Sequence, residues 1–185
     1  MKRFAAVFPM ALMLCAGRVS AEVADSASNG FTIKTTINIQ AAPDDVYRRI
    51  MQNVGDWWDP VHTYSHDSHN LSIEEKAMGC FCEKLPNSGV VRHMEVISLM
   101  PGKSIVFAGA LGPLQSIAAA GAMKFQLAGD GGGTKLEFTY AVTGYMPAGL
   151  NTWAAPVDSV LKEQLLRLKN YIEHGNPSTA PTPAR

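Results

Sequence analysis

The segment LNTWAAPVDSVLKEQLLRLKNYI, residues 150 to 172, decides the fold of this chain. Its apolar side chains recur at spacings of three and four residues, which places them on one stripe of an α-helix. The stripe consists of Leu150, Trp153, Ala154, Val157, Val160, Leu161, Leu165, Leu168 and Ile172. At about 1.5 Å per residue such a helix is roughly 35 Å long, so it needs a large apolar partner surface.

Both ends of this helix carry signals in the sequence. Gly175 followed by Pro177 is a stop signal, and Lys169 and His174 sit where cations complement the C-terminal end of the helix dipole. Pro156 lies too far inside the segment to be a first-turn proline. We therefore expect either a kink or a later start of the helix.

Almost everything before this helix is typical of short strands. Residues 31–39 alternate apolar and polar side chains, and Pro43, Asp44 and Asp45 then open a short helix that stops near Gly55. Further strands are predicted over residues 70–76, 79–85, 90–99, 103–110, 118–129 and 134–143. This order predicts an α+β fold, in which a curved antiparallel sheet of about seven strands wraps around the long C-terminal helix.

The N-terminus has the composition of a secretory signal peptide. Lys2 and Arg3 precede an apolar run that ends at Ala16, and small residues up to Ala21 suit a cleavage site. The expected organisation is a signal peptide at 1–21, a flexible leader at 22–30, one folded domain at 31–174 and a disordered tail at 175–185. A cleaved signal peptide implies a periplasmic or secreted protein.

The charge balance gives no reason to expect a nucleic acid as partner. The chain has 16 basic and 16 acidic residues, and removal of residues 1–21 takes away Lys2, Arg3 and Arg18 but no acid. The mature chain then has 13 basic and 16 acidic residues, a formal net charge of −3. We expect no integral membrane span in the mature chain, and the sequence does not indicate the oligomeric state.

The order strand, helix, run of strands and long helix is the helix-grip arrangement. Together with the run APDDVY at 42–47 and the last helix over 157–168, it resembles the SRPBCC superfamily, which includes START domains, bacterial polyketide cyclases and the birch-pollen allergen group. The match covers residues 31–173, and the middle segments resemble a secreted bacterial branch. The resemblance implies a deep apolar cavity between sheet and helix that binds a lipid-like or aromatic molecule, and no fixed catalytic set.

The register of two strands defines one candidate cavity wall. If residues 86–89 close a four-residue hairpin, three facing pairs follow. They are Glu83 with Arg92, Phe81 with Met94, and Cys82 with His93. The face of Phe81 continues through Val96, Ile105 and Phe107, and this apolar face is the expected wall. The pair of Glu83 with Arg92 either anchors a polar group of a ligand or is an ordinary surface pair.

Cys80 and Cys82 are the only cysteines left after signal-peptide removal. They alternate along one face of a predicted strand, where a disulfide between them would be strained. The sequence leaves three states open: free thiols, bonds between chains, or metal ligands. A metal-binding protein that uses Cys80, Cys82 and His93 is therefore a weaker alternative, and otherwise we expect no metal or cofactor.

Residues 56–70 form the least regular stretch of the chain. This loop contains two of the three tryptophans, Trp57 and Trp58, and three of the five histidines. The histidines are His62, His66 and His69. A loop this rich in aromatic and titratable groups is a candidate for function.

Two main hypotheses follow. The first is a periplasmic binding protein that holds a hydrophobic or aromatic small molecule, lipid-like or polyketide-like, between the sheet and the long helix. Its expected ligand-binding residues are Trp57, Trp58, Phe81, Glu83, Arg92, Met94, Phe107, Leu111, Leu114, Trp153, Val157 and Leu161. The second is an enzyme of the cyclase or lyase type that acts on such a ligand through acid and base groups. Its candidate catalytic residues are His62, Tyr64, Glu83 and His93.

Overall fold

The computed structural model describes residues 20 to 178. The expected signal peptide lies outside these residues except for its last two positions, and so does most of the expected disordered tail. Within residues 20–178, no helix is long and apolar enough to cross a membrane.

The described part of the chain contains one open sheet of eight antiparallel strands. In chain order they are β1 (Ser20–Ala27), β2 (Gly30–Ile39), β3 (Leu71–Ile73), β4 (Cys80–Lys84), β5 (Val90–Met100), β6 (Ser104–Ala108), β7 (Ala118–Asp130) and β8 (Gly133–Tyr145). Across the sheet the order is β1-β2-β8-β7-β6-β5-β4-β3. The strand β8 thus returns to pair with β2, and the other pairs join neighbours in sequence.

The helices confirm the predicted order. They are α1 (Pro43–Gln52), α2 (Val54–Trp57) and α3 (Asn151–His174), with 3₁₀ turns at Pro60–His62, Ser68–Asn70 and Gly112–Ser116. The long helix α3 ends where Gly175 adopts a φ of 73°, a left-handed conformation that glycine tolerates. It begins at Asn151, so Pro156 lies inside the helix and the later start is not observed. The α+β class with a long C-terminal helix is confirmed.

A strand occupies most of the leader that the sequence predicts to be flexible. β1 pairs with β2 over residues 20–27, and it also contacts α3. The backbone N–H of Leu150 donates to the carbonyl oxygen of Ser28 at 2.9 Å, which joins this edge of the sheet to the start of α3. β1 consists mostly of small and polar residues, so it shows no apolar alternation. As an edge strand it is held by backbone hydrogen bonds to β2. Residues 20–27 are therefore a strand of the sheet.

The core lies between the inner face of the sheet and the helices α1 and α3. Alternate residues of β2, β7 and β8 are buried, as the strand pattern predicts. A row of rings crosses the sheet, with centroids of neighbours 5.0 to 6.3 Å apart. The row is Trp58, Phe81, Phe107, Phe125 and Phe138. This aromatic layer forms part of the core between the sheet and the helices.

The register between β4 and β5 differs from the predicted register by one residue. The observed pairs are Phe81 with Met94, Cys82 with Arg92, and Glu83 with Val91. The first pair confirms the prediction, and the predicted pairs of Glu83 with Arg92 and of Cys82 with His93 are wrong. The cause is a β-bulge, in which β5 has one extra residue opposite a single step of β4. As a result His93 and Met94 are both buried on the inner face.

Candidate functional site

A cavity of about 400 Å³ lies between the N-terminal half of α3, strands β4 and β5, and the loop after α2. Seven of the predicted ligand-binding residues line it: Trp58, Phe81, Leu111, Leu114, Trp153, Val157 and Leu161. Three of the four candidate catalytic residues also line it: His62, Tyr64 and His93. The roles of these residues stay predictions, but the structure brings them to one cavity.

The list of site residues predicted from the sequence lacks seven of the 17 residues of the wall. These seven are Val61, Thr63, Leu71, Gly112, Pro113, Pro156 and Val160. Val160 belongs to the same helical stripe as Val157, so the period of α3 was a sufficient signal for it. Val61 and Pro113 lie in irregular segments, where no period tells which side chains point inward.

Other predicted ligand-binding residues do not line the cavity. Trp57, Met94 and Phe107 are buried in the layer behind its wall, where Trp57 packs on Trp58 at a centroid distance of 5.5 Å. Arg92 projects from the opposite face of the sheet, and its guanidinium Nη1 bonds Glu95 Oε2 at 2.8 Å. The structure therefore does not place Arg92 at the cavity, because the bulge turns its side chain outward.

The loop after α2 is fixed to α3 by polar contacts. The backbone N–H of Asp59 donates to Gln164 Oε1 at 2.8 Å, and Arg167 Nε donates to the carbonyl oxygen of Trp57 at 2.9 Å. The indole Nε1 of Trp58 donates to the carbonyl oxygen of His62 at 3.2 Å, within the loop itself. These contacts hold the two tryptophans and the loop histidine beside the helix. The loop is therefore a fixed wall of the cavity.

Glu83 and His93 form a buried polar pair beside the cavity. His93 Nε2 lies 3.0 Å from Glu83 Oε2, and the two side chains are only 7% and 0% exposed. Glu83 also accepts hydrogen bonds from two backbone N–H groups of the loop, from Tyr64 at 3.1 Å and from Ser65 at 2.5 Å. Glu83 does not face the cavity. It acts as a buried acceptor that joins the loop, β4 and the ring of His93.

The charge state of Glu83 follows from two opposing effects. Burial alone raises the pKa of a carboxyl group, but hydrogen bonds from Ser65, Tyr64 and His93 favour the ionised form more strongly. The net result is a pKa of Glu83 below its ordinary value. Glu83 is therefore a carboxylate at neutral pH.

His93 is neutral at the same pH. Its burial lowers the pKa of the imidazole, and the neighbouring Glu83 offsets only part of that effect. A carboxylate can only accept, so the proton of the neutral ring lies on Nε2 and points at Glu83. Nδ1 is then an unprotonated acceptor, and no side chain within residues 20–178 bonds to it.

Tyr64 covers the ring of His93 from the mouth of the cavity. The two rings are stacked, with centroids 6.0 Å apart and planes 16° apart, and Phe81 lies against His93 from the other side at 5.3 Å. Tyr64 is 47% exposed, so it stands between solvent and the pair. The remaining loop histidines, His66 and His69, are exposed and lie away from the cavity wall.

A second segment, residues 111–114, forms the opposite lip. The backbone N–H of Leu111 donates to the buried hydroxyl of Tyr140 at 2.9 Å. Burial raises the pKa of Tyr140 to about 12, so this hydroxyl stays protonated and its oxygen accepts. Gln115 Nε2 donates to the carbonyl oxygens of Arg92 and His93 at 2.8 and 3.2 Å. The lip is thereby tied to the same bulge that positions His93.

Cys80 and Cys82 are joined by a disulfide within the chain. Their Cα atoms are 5.3 Å apart, closer than the roughly 6.6 Å between alternate residues of a regular strand. The expectation of a strained disulfide assumed a regular strand, but the chain departs from regular strand geometry next to the bulge. Bonded thiols are not metal ligands, and among the described residues no group of three or more His, Cys, Asp or Glu side chains is placed to hold a metal ion. The structure therefore does not bring Cys80, Cys82 and His93 together as a set of metal ligands.

Comparison with known proteins shows the fold. No family model matches this chain, and no curated protein matches it. EF2215 of Enterococcus faecalis, a conserved protein of unknown function, is similar with a TM-score of 0.58 and 17% identity, over 91% of this chain and 83% of that chain. CalU16 from Micromonospora echinospora is similar with a TM-score of 0.55 and 15% identity, over 90% and 88% of the two chains.

A third solved structure, DynU16, is a protein in the dynemicin biosynthetic locus. It is similar with a TM-score of 0.55 and 18% identity, over 80% of this chain and 49% of that chain. At identities this low the likeness establishes a shared fold alone. The fold is that of an antiparallel sheet with a long C-terminal helix packed against it.

Proposed function

We propose that this chain is a binding protein of the SRPBCC superfamily that holds a hydrophobic or aromatic small molecule, lipid-like or polyketide-like, between the sheet and α3. The observation that carries the proposal is the cavity itself. It has a volume of about 400 Å³ and mostly apolar walls, which suits a small-molecule site. Binding of an apolar ligand to such walls is favourable, because its apolar surface is removed from water.

Two further observations support this ligand class. The walls contain aromatic side chains from three elements, Trp58, Phe81 and Trp153, and stacked or edge-on contacts with a flat ligand favour binding. DynU16, whose fold is similar, is a protein in a biosynthetic locus, which is compatible with a natural product as ligand. Lipid-like chains fit the same walls through their apolar surface.

The location of the protein is part of the proposal. The signal-peptide pattern before Ala21 favours export to the periplasm or the medium. The disulfide of Cys80 with Cys82 supports an oxidising compartment. The intact mass of the mature protein tests this: we expect a chain that begins at Glu22, and an unprocessed chain that stays in the cytoplasm would contradict it.

Native mass spectrometry tests the binding function. The mature protein, purified from its own compartment, is measured before and after extraction with organic solvent. We expect an added organic mass that extraction removes, and rebinding of 2-methylnaphthalene by the emptied protein. A bare polypeptide mass together with no binding of this probe would contradict the proposal.

Two matched variants locate the binding. Val157→Phe adds a ring inside the cavity, and Ala155→Phe adds the same ring on the exposed side of the same helix. We expect the first variant to weaken probe binding at least tenfold and the second to leave it unchanged. Equal effects would place the probe outside the cavity.

A specific observation favours a second candidate, an enzyme of the cyclase or lyase type. The neutral ring of His93, oriented by Glu83, presents an unprotonated Nδ1 that could remove a proton from carbon next to a carbonyl group. Hydrogen–deuterium exchange of 2-tetralone in D₂O tests this chemistry by NMR. We expect the native protein to accelerate exchange over the rate in buffer, and His93→Gln to lose this acceleration. Exchange equal to that in buffer would remove this candidate.

A further inference from the structure

Few side chains of the cavity wall carry polar atoms, and among the buried ones the indole N–H of Trp58 already has a partner, the carbonyl oxygen of His62. Thr63 is buried, and its hydroxyl donates to the carbonyl oxygen of Pro60 at 2.7 Å. Tyr64 and His62 lie in exposed positions at the mouth. His93 is the buried polar side chain of the wall whose ring keeps an open hydrogen-bonding atom, Nδ1.

The partner of His93 fixes what that atom can do. Glu83 Oε2 accepts a hydrogen bond from His93 Nε2 at 3.0 Å, and two backbone N–H groups donate to the same carboxylate. Reversal of the tautomer would leave Nε2 without a proton against a carboxylate, which is two acceptors in contact. Nδ1 is therefore kept as an acceptor, and a ligand beside it must supply a donor.

The charges around the cavity argue against an anionic ligand. Among residues 20–178, no Lys or Arg side chain lines the wall, and the outward side chain of Arg92 cannot reach it. The titratable groups in contact with His93 are Glu83 from β4 and Tyr64 from the loop. His62 lies elsewhere in the same wall, and α3 and the 111–114 lip contribute apolar groups. A carboxylate brought into this wall would be buried without a countercharge, close to an existing carboxylate.

We propose that the ligand carries a phenol or enol hydroxyl that donates its proton in a hydrogen bond to His93 Nδ1, while its ring system packs on Phe81 and Trp58. The inference rests on the proposed binding function and adds the group that the site recognises. His93 is the specificity-determining residue, and Glu83 is the positioning residue that holds its tautomer. The site discriminates against fatty acids and other carboxylates.

Three probes of one ring size test the recognition: 2-naphthol, 2-methylnaphthalene and 2-naphthoate at pH 8. In 2-methylnaphthalene a methyl group replaces the hydroxyl. The dissociation constant of 2-methylnaphthalene divided by that of 2-naphthol therefore measures hydroxyl selectivity. We expect His93→Phe to lower this ratio about three- to tenfold, the value of one hydrogen bond. Arg92→Ala, a neighbour on the outward face of the same strand, should leave the ratio unchanged. We expect 2-naphthoate to bind at least tenfold more weakly than 2-naphthol.

A second measurement needs no variant. In the ¹⁵N spectrum of the native protein, the unprotonated Nδ1 of His93 should move upfield when 2-naphthol is added and should stay in place with 2-methylnaphthalene. The hydroxyl assignment would be overturned, and the binding cavity would stand, in either of two cases. In the first, His93→Phe weakens the binding of 2-naphthol and of 2-methylnaphthalene equally and the Nδ1 resonance does not shift. In the second, 2-naphthoate binds more tightly than 2-naphthol. Failure of the native protein to bind any of the three would instead overturn the binding function.

Discussion

The two halves of α3 have the same apolar period but different surroundings. Leu165 and Leu168 in the C-terminal half are 2% and 0% exposed and lie in the closed core, which we term the filled end. Trp153 and Val157 in the N-terminal half are only half-buried, because they face the cavity, which we term the hollow end. A helical stripe therefore identifies the inward face of a helix, but it does not tell whether that face meets side chains or space.

The largest expected effect separates the two ends by stability. Leu168→Ala removes atoms from a filled region and should lower the free energy of unfolding by about 2–5 kcal/mol. Val157→Ala enlarges a space that already exists, so its expected cost is about 1 kcal/mol or less. Urea unfolding of both variants checks the difference. Equal losses would mean that the hollow end is packed as tightly as the filled end.

The second prediction concerns the polar pair at the hollow end. Glu83→Gln removes the charge that accepts from the loop and from His93, and we expect a loss of about 1–3 kcal/mol. Glu95→Gln is the control, because Glu95 pairs with Arg92 on the outer face and such exposed pairs contribute about 1 kcal/mol or less. If the control lost as much as Glu83→Gln, burial of the Glu83 pair would not be the source of its stability.

The disulfide should contribute less to the free energy of unfolding than the Glu83 pair does. It encloses only the residue between Cys80 and Cys82, and short loops restrict the unfolded chain little, so the double change of both cysteines to Ala should cost about 1.5 kcal/mol or less. Thermal unfolding with and without reductant gives the same comparison. A loss of several kcal/mol would show that the bond also holds the adjacent bulge.

The smallest expected effect is a dependence on pH that belongs to the hollow end. The pKa of His93 is lowered in the fold, so its contribution to stability is full above the ordinary histidine value of about 6.5 and is lost as pH falls below it. The pKa of Glu83 is also lowered, so its contribution is full above about 4.5 and is lost at lower pH. Stability should therefore decline in acid, and less steeply in the double variant Glu83→Leu with His93→Phe. An unchanged slope would assign the acid sensitivity to other groups.

Much of the fold was predictable because it depends on periodic patterns. The stripe of α3 and the alternation in β2, β7 and β8 predicted their buried faces. The strand β1 was missed because small polar residues carry no such alternation. The loop around Trp58 and the segment near Leu111 were predicted to border the cavity, and they do.

The polar part of the site was less predictable. A bulge adds one residue without any signature in the sequence, and it reverses every side chain beyond it. This single residue turned Arg92 outward and brought His93 to Glu83. Both members of the pair were candidates from the sequence, but their contact depends on the bulge and could not be derived from a regular hairpin.

The most direct test of the hollow end is a methyl NMR spectrum with 2-methylnaphthalene. Bound probe should shift the methyl resonances of Val157, Leu161 and Leu114, which line the cavity, because its ring current acts only at short range. The methyl resonances of Leu165 and Leu168, at the filled end, should move little. Shifts spread over both halves of α3, or none at saturating probe, would contradict a binding cavity between the sheet and this helix.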